Sequence, residues 1–363
     1  MSGIKNRIIT ISGEPVSGKS TVVKRIKEKY EKKGFNVHII QTGHFFREVI
    51  MEEYRKMYPD RKDAKLADVQ ADEAFASKRS EIDKIVDDEM RKKGLQINSV
   101  ARPNDVYIID SRLAWHNIPD SYAIRLTVDE QIAGERAFAD ETRGPEDRYE
   151  TVEEAVRKTA ERKKGEIERY KKKYGVDLSD PNNYDLIVDT AYSNIDELAD
   201  IIIAGEESYR SEAYYPKMWA SPASFIGTQT SRQTCEDSGS FICTPQELAE
   251  IINEKGYNPT MAEIDVVENY GEKFVSDGHH TCMATLILGK TLVPYRIEKD
   301  EEANKSLYLE QNNVYRAYDW ADCIRYFGGN IGNQSQFKEF SVKDLTAYER
   351  RIKPMVEKLM PGR

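Results

Sequence analysis

The sequence predicts an α/β protein, a three-layer parallel sheet covered by helices on both faces, followed by a second, smaller α+β unit. Three observations predict it. Short β-branched runs alternate with long charged stretches of helical period through the first half. A glycine-bounded loop joins the first run to the first helix. Composition then shifts over residues 208–240, which are rich in Ser, Thr, Tyr and Pro and lack a clear period.

The first run, Arg7-Ile-Ile-Thr-Ile-Ser12, reads as a buried strand, and residues 37–41, 106–110, 122–126 and 184–188 share its character. Between them, residues 20–33, 66–93 and 151–173 carry Lys/Glu-rich helical periodicity. Strands separated by helices connect by crossovers, which place a parallel sheet between two helical layers. The expected division is a domain at 1–205, with an insert at about 43–103 and an arginine-studded flap at about 134–170, an entry segment at 206–240 and a second unit at 241–363. In that unit, Thr244-Pro-Gln-Glu through Gly256 has a cap, a proline in the first turn and a terminal glycine, the marks of a helix. Residues 273–276 and 292–297 read as strands flanking a short helix at 281–288, and 342–359 as a closing helix kinked at Pro354. Tyr315, Tyr318, Trp320 and Tyr326 are expected to pack rather than to stack on a ligand.

Composition narrows the function. The chain has 363 residues, 39% of them hydrophobic, and a mean hydropathy of −0.68. That suffices for two cores, and no apolar run approaches the ~18–20 residues of a membrane span. Net charge is −9, with 36 basic against 39 acidic residues up to Gly205 and 18 against 24 after it. Neither half has the basic footprint of a non-specific nucleic-acid binder. Residues 1–7 are short and polar and lead straight into a strand, so no signal peptide is expected. Cys235, Cys243, Cys282 and Cys323 match neither a zinc pattern nor a small disulfide scaffold. The expected setting is reduced and cytoplasmic, with no membrane partner; oligomeric state is not legible.

The loop Gly13-Glu-Pro-Val-Ser17-Gly18-Lys19-Ser20-Thr21 fits G-x-x-x-x-G-K-[ST], follows a strand and opens a helix. The chemistry dictates these types. Gly13 and Gly18 let successive backbone N–H groups turn inward onto phosphate oxygens, and the helix start adds its partial positive charge. In such a P-loop Lys19 reaches the terminal phosphates and the Ser20 hydroxyl ligates Mg²⁺, which makes ATP and Mg²⁺ the expected donor and cofactor. The arginines of the flap, Arg136 and Arg143 among them, suit a lid that neutralises a transferring phosphoryl group and excludes water. Charged helix faces are ordinarily solvated, so single arginines there prove little.

Residues 7–203 resemble the cytidylate kinases, most closely the short archaeal-type branch of that P-loop nucleoside monophosphate kinase family. Beyond the loop, the pieces that match are Thr42-Gly-His-Phe-Phe-Arg-Glu48, Glu81-Ile-Asp83, Asp110-Ser-Arg-Leu-Ala-Trp115, Glu161-Arg162, Glu166-Ile-Glu-Arg-Tyr-Lys171, Tyr174-Gly-Val-Asp177 and Tyr184-Asp-Leu-Ile-Val-Asp-Thr190. The resemblance implies that Arg47 and Arg112 grip the acceptor's phosphate, a task that suits a bidentate guanidinium. It implies that Arg162 and Arg169 bracket the acceptor from the lid side and that Glu166 reads the exocyclic amine of cytosine; in a phosphoryl transfer of this kind Asp110 is expected to order the metal's water shell or orient the acceptor. Ser111 replaces a usual glycine, Asp140 stands where the family often has a basic residue, with Arg143 substituting after an insertion at 142–149, and the insert at 52–76 is long. These departures bear on the acceptor's identity more than on phosphotransfer.

In the second unit, Val275-Ser-Asp277-Gly278-His279-His280-Thr281 through Gly289, then Val293-Pro-Tyr-Arg-Ile297, resembles the ParB/sulfiredoxin superfamily and its free serine kinase members. The resemblance implies a second anion site at Asp277, Gly278, His279 and His280, with a glycine turn at a helix start. Thr281 replaces the usual arginine. Adjacent histidines also suit a zinc site or a structural turn, although no Cys/His/carboxylate set at ligand spacing accompanies them. Cys282 and Met283 are expected in the core. Three functions follow: a kinase for CMP or dCMP; a kinase for another hydroxyl, in a free amino acid such as serine or a modified base in DNA; and a nucleotide-gated nucleic-acid-binding protein, which the net charge disfavours.

Overall fold

The computed structural model describes residues 6–298 apart from 62, 65–67, 70–71, 77–78, 101, 141–147, 228–243, 258–262 and 270–271. Arg143, Cys235, Cys243, Cys323, the aromatic run from Tyr315 and the helix expected at 342–359 lie outside the described residues.

The chain divides into two compact units, Met1–Leu126 with Arg157–Leu186, and Thr127–Val156 with Ile187–Arg363. In the first, β1 (Arg7–Gly13) runs into α1 (Lys19–Lys32), β2 (Asn36–Gln41), α2 (Thr42–Met57), α3 (Arg79–Asn98), β3 (Asp105–Asp110) and β4 (Tyr122–Thr127). The strands lie in the order β2-β3-β1-β4 and every pair is parallel. Ile9, Ile11, Ile108, Ile109 and Ile124 are fully buried, as a sheet covered on both faces requires. α1 turns Val22, Val23, Ile26 and Tyr30 inward and ends on Lys29 and Lys32, which complement its dipole. The expected helix at 66–93 is later and shorter, a single turn at Glu73–Ala76 and then α3.

α4 (Glu130–Ala139) is capped by Asp129, whose carboxylate accepts from the amides of Gln131 and Ile132. α5 (Val152–Tyr174) carries Glu153 and Glu154 in its first turn and Lys171, Lys172 and Lys173 in its last, a charge order its dipole favours.

The second unit is a mixed sheet in the order β5-β6-β10-β8-β9-β7, built from β5 (Leu186–Asp189), β6 (Met218–Ala220), β7 (Ile226–Gly227), β8 (Ile264–Asn269), β9 (Glu272–Asp277) and β10 (Val293–Ile297). The pairs β5–β6, β8–β10 and β7–β9 are parallel, and β6–β10 and β8–β9 antiparallel. α7 (Pro245–Lys255) has the full capping box: Thr244 and Glu247 each bond the other's backbone amide. α6 (Ile195–Arg210) stays with the later strands because Glu197 accepts from both the amide and the hydroxyl of Thr291, each at 2.6 Å, and Tyr215 Oη donates to the Ile201 carbonyl. Burial pushes the Glu197 carboxyl up despite those bonds.

Candidate active site

The phosphate loop takes the shape its sequence demands. β1 stays buried to Gly13, and Gly18 caps α1 in the left-handed region at φ 74°. Val16, at φ 63°, is a β-branched residue in that same region and therefore strained. A Cβ on Gly13 would stand 2.7 Å from Ser17 Oγ and 3.4 Å from Lys19 Cδ, so a side chain there would have to displace the Ser17 hydroxyl. The Glu14 amide donates to the Leu126 carbonyl and the Ser17 amide to the Glu14 carbonyl, which pins the crown of the loop to β4. Ser20 and Thr21 stay exposed at the first turn of α1, where the Thr21 amide donates to the Gly18 carbonyl at 3.0 Å.

Lys19 and Asp110 form an ion pair at the end of β3. Burial, and then the nearby Arg112 guanidinium, pull the Lys19 ammonium down to about 8. The loop amides, an ammonium and an exposed hydroxyl at Ser20 are the donor set a magnesium triphosphate calls for, so the residues fit that group.

Arg112 is the hub of the site. Its Nε donates to Glu166 Oε2 at 2.8 Å and its Nη2 to Glu166 Oε1 at 3.1 Å, while Nη1 donates to the Gly13 carbonyl of the loop. Arg162 Nε donates to Glu166 Oε1 at 3.4 Å, from a largely exposed position. The structure therefore pairs with each other two residues to which the resemblance gives separate tasks. Ser111, in place of glycine, donates its amide to the Ile11 carbonyl, and its hydroxyl accepts from Leu113. Trp115 holds the Arg112 carbonyl at 3.1 Å. Arg169 is exposed and lies over the Tyr170 ring at 5.0 Å; Arg47 is exposed on α2.

Three residues that the sequence did not single out complete the site. Glu14 Oε1 accepts from Arg125 Nη2 at 2.8 Å, and its Oε2 lies 3.1 Å from Lys163 Nζ. Glu14, Arg125, Lys163, Arg112 and Glu166 line a cavity of about 20 Å³, room for roughly one water. Two larger clefts, about 520 Å³ beside Tyr54 and Asp72 and about 560 Å³ beside Gln41, Glu48 and Met90, have no loop residue in their lining.

In the second unit, Arg136 donates to Thr190 Oγ1 at 3.2 Å and to the carbonyls of Thr190 and Ala191 at 2.5 and 3.0 Å. Gly278 caps α8 (His279–Ile287) at φ 96°, and its amide donates to Asp277 Oδ1 at 2.8 Å. A Cβ there would meet Ile264 Cγ2 at 2.6 Å. His279 is buried, and that burial, helped by His280, pushes its imidazole down to about 4. It is neutral at physiological pH and offers an N–H, not a charge. Among the described residues no cluster of His, Cys, Asp and Glu is set to hold a metal ion. Cys282, Met283 and Thr281 are buried.

A phosphate loop whose lysine and neighbouring arginines converge at the carboxyl ends of parallel strands defines a P-loop phosphotransferase. The sequence profile of the cytidylate kinase-like family matches residues 8–192, just over half the chain. The chain belongs to the cytidylate kinase-like family and is a kinase. It is 28% identical over 197 residues to a cytidylate kinase of Methanosarcina barkeri, covering 53% of this chain and 93% of that one. It is 31% identical over 184 residues to a cytidylate kinase of Methanocella arvoryzae, covering 51% and 87%. It is also 29% identical over 264 residues to an S-adenosylmethionine-dependent nucleotide dehydratase of Lacinutrix mariniflava, covering 71% of this chain and 46% of that protein's length. That last alignment is too long to lie within the family-matched region alone. A shikimate kinase structure from Bacteroides thetaiotaomicron overlaps 57% of the chain at 14% identity, with a TM-score of 0.28.

Proposed function

We propose that the chain transfers the terminal phosphoryl group of ATP to a pyrimidine nucleoside monophosphate, CMP or dCMP. The observation that carries this reading is the Arg112–Glu166 pair beside the loop. It puts a guanidinium suited to a phosphate next to a carboxylate suited to an amino-pyrimidine edge, one turn from Arg162. An acceptor that offers both a phosphate and an exocyclic amine satisfies both halves when the pair opens. Arg47 and Arg169 then complete its shell. Mg²⁺, held through Ser20, would draw charge off the β and γ oxygens. Lys19 holds those oxygens, Asp110 holds Lys19, and Arg112 fixes the loop through the Gly13 carbonyl. An oxygen of the acceptor phosphate attacks the γ phosphorus, the bond to the bridging oxygen breaks, and ADP leaves with that oxygen's electron pair. Arg136 and Arg143 keep their expected lid role in this reading. The relatives support a nucleotide acceptor, since the names of the kinases and of the dehydratase all describe nucleotide chemistry. The reaction belongs to the cytoplasm, and among the described residues no helix is long and apolar enough to cross a membrane.

A second reading keeps the kinase and gives it another hydroxyl acceptor, in a free amino acid or a modified base, through a ParB/sulfiredoxin-like second domain at 241–363. The left-handed Gly278 at the start of α8, with Asp277, His279 and His280 around it, favours it. One assay separates the readings: ADP release by the full chain with CMP, dCMP, UMP, serine, threonine or single-stranded DNA, repeated with His280→Ala. CMP or dCMP well above the no-acceptor rate supports the first. Serine, threonine or DNA alone, lost in the variant, overturns it.

A further inference from the structure

We infer that Glu14 is a coupling residue, one that ties the acceptor-side helix to the phosphate loop so that loading the loop orders the helix. The inference rests on the reading that the loop holds the donor and residues 157–174 of α5 face the acceptor. Glu14 sits at the crown of the loop, where an anion is unwelcome: a carboxylate among groups gathered for phosphate repels the ligand they serve. Its side chain is 7% exposed, and both oxygens are spoken for, Oε1 by Arg125 and Oε2 by Lys163. Arg125, 8% exposed, is anchored in turn by the Leu178 carbonyl and lies 3.5 Å from Tyr184 Oη.

Charge balance explains only half of this. Glu14 neutralises the buried Arg125, and that much is framework. Lys163 is not needed for it. A lysine that keeps 29% of its side chain exposed surrenders mobility and hydration to reach a buried oxygen, which an isolated surface pair seldom repays. What the contact achieves is attachment. Three residues further along the same helix, Glu166 holds Arg112, and Arg112 holds the Gly13 carbonyl. One face of α5 thus grips consecutive loop residues, Gly13 through Arg112 and Glu14 directly. The cavity left between them, about 20 Å³, is far too small for a nucleoside, so this face must lift for an acceptor to enter. With a triphosphate in the loop, its charge adds to the attraction on Lys163, and the helix is drawn down on its tether.

Hydrogen exchange of the full chain with and without Mg²⁺ and a non-hydrolysable ATP analogue, AMP-PNP, tests this. In the wild type, AMP-PNP should slow exchange about tenfold in the loop and also in residues 157–170. In Glu14→Gln and, as a milder surface variant, Lys163→Met, the loop should still be protected while the helix gains less than about twofold. Lys163→Arg should restore the helix response. Equal protection of the helix in Lys163→Met and wild type, or none in the wild type, overturns the coupling. A wild-type loop that millimolar AMP-PNP leaves unprotected overturns the donor reading beneath it, and the coupling with it.

Discussion

The Lys19 ammonium sits near 8 rather than 10.5, which makes nucleotide affinity pH-dependent in a range where free lysine is silent. Only the protonated form gives the terminal phosphates a cation, so affinity follows the protonated fraction. That fraction is about three-quarters at pH 7.5 and about one-thirtieth at pH 9.5, a loss of roughly 25-fold or about 1.9 kcal/mol. The sign for folding is opposite. Because the folded-state value lies below the unfolded one, the unfolded chain binds more protons between pH 8 and 10.5, and this group's contribution to stability rises there. Weakened binding with an undiminished fold is therefore the signature, and it separates the effect from alkaline unfolding. Calorimetric titration of the full chain with Mg·AMP-PNP from pH 7.5 to 9.5, beside thermal melts, measures both. Lys19→Arg keeps its charge throughout and should give a flat profile. A wild-type affinity that stays constant over those two pH units, or an arginine variant that falls in parallel, would refute the reasoning.

Three further outcomes follow from particular contacts. Glu166→Gln removes the carboxylate that would accept from the cytosine amine and should cut the preference for CMP over UMP by about 10- to 150-fold, the worth of ~1.5–3 kcal/mol, read as a ratio of kcat/KM. Val16→Gly relieves a left-handed β-branched residue, worth ~1–2 kcal/mol, against an entropic cost of ~0.5–1, so the melting temperature should hold or rise slightly. Gly278→Ala places a methyl against Ile264 at positive φ and should destabilise the second unit by ~2–4 kcal/mol in denaturant unfolding, leaving the first unit's nucleotide binding unchanged.

The parts that local chemistry dictates were legible. The loop's glycines, the cap at Thr244 and the β-branched runs act over a few residues, and each stands where its pattern placed it. Other elements were hidden for physical reasons. β8, Ile264-Asp-Val-Val-Glu-Asn269, buries both Val266 and Val267 beside an irregularity at Asp265 and Val266, which breaks the alternation that marks a strand. β6 and β7, at three and two residues, are too short to show a period. The Glu14–Arg125 pair spans 111 positions, so its two signals, an acid within a phosphate loop and an arginine inside a buried strand, were visible only separately. The place of α6 in the second unit likewise depends on Thr291, far along the chain.

The measurement closest to the central claim is acceptor-dependent ADP release by the full chain and by Lys19→Ala, with CMP at saturating Mg·ATP. Phosphoryl transfer from the loop predicts a rate far above the no-acceptor background in the wild type and a loss of about 100- to 1,000-fold in the variant. A Lys19→Ala chain that turns over CMP at the wild-type rate would contradict it.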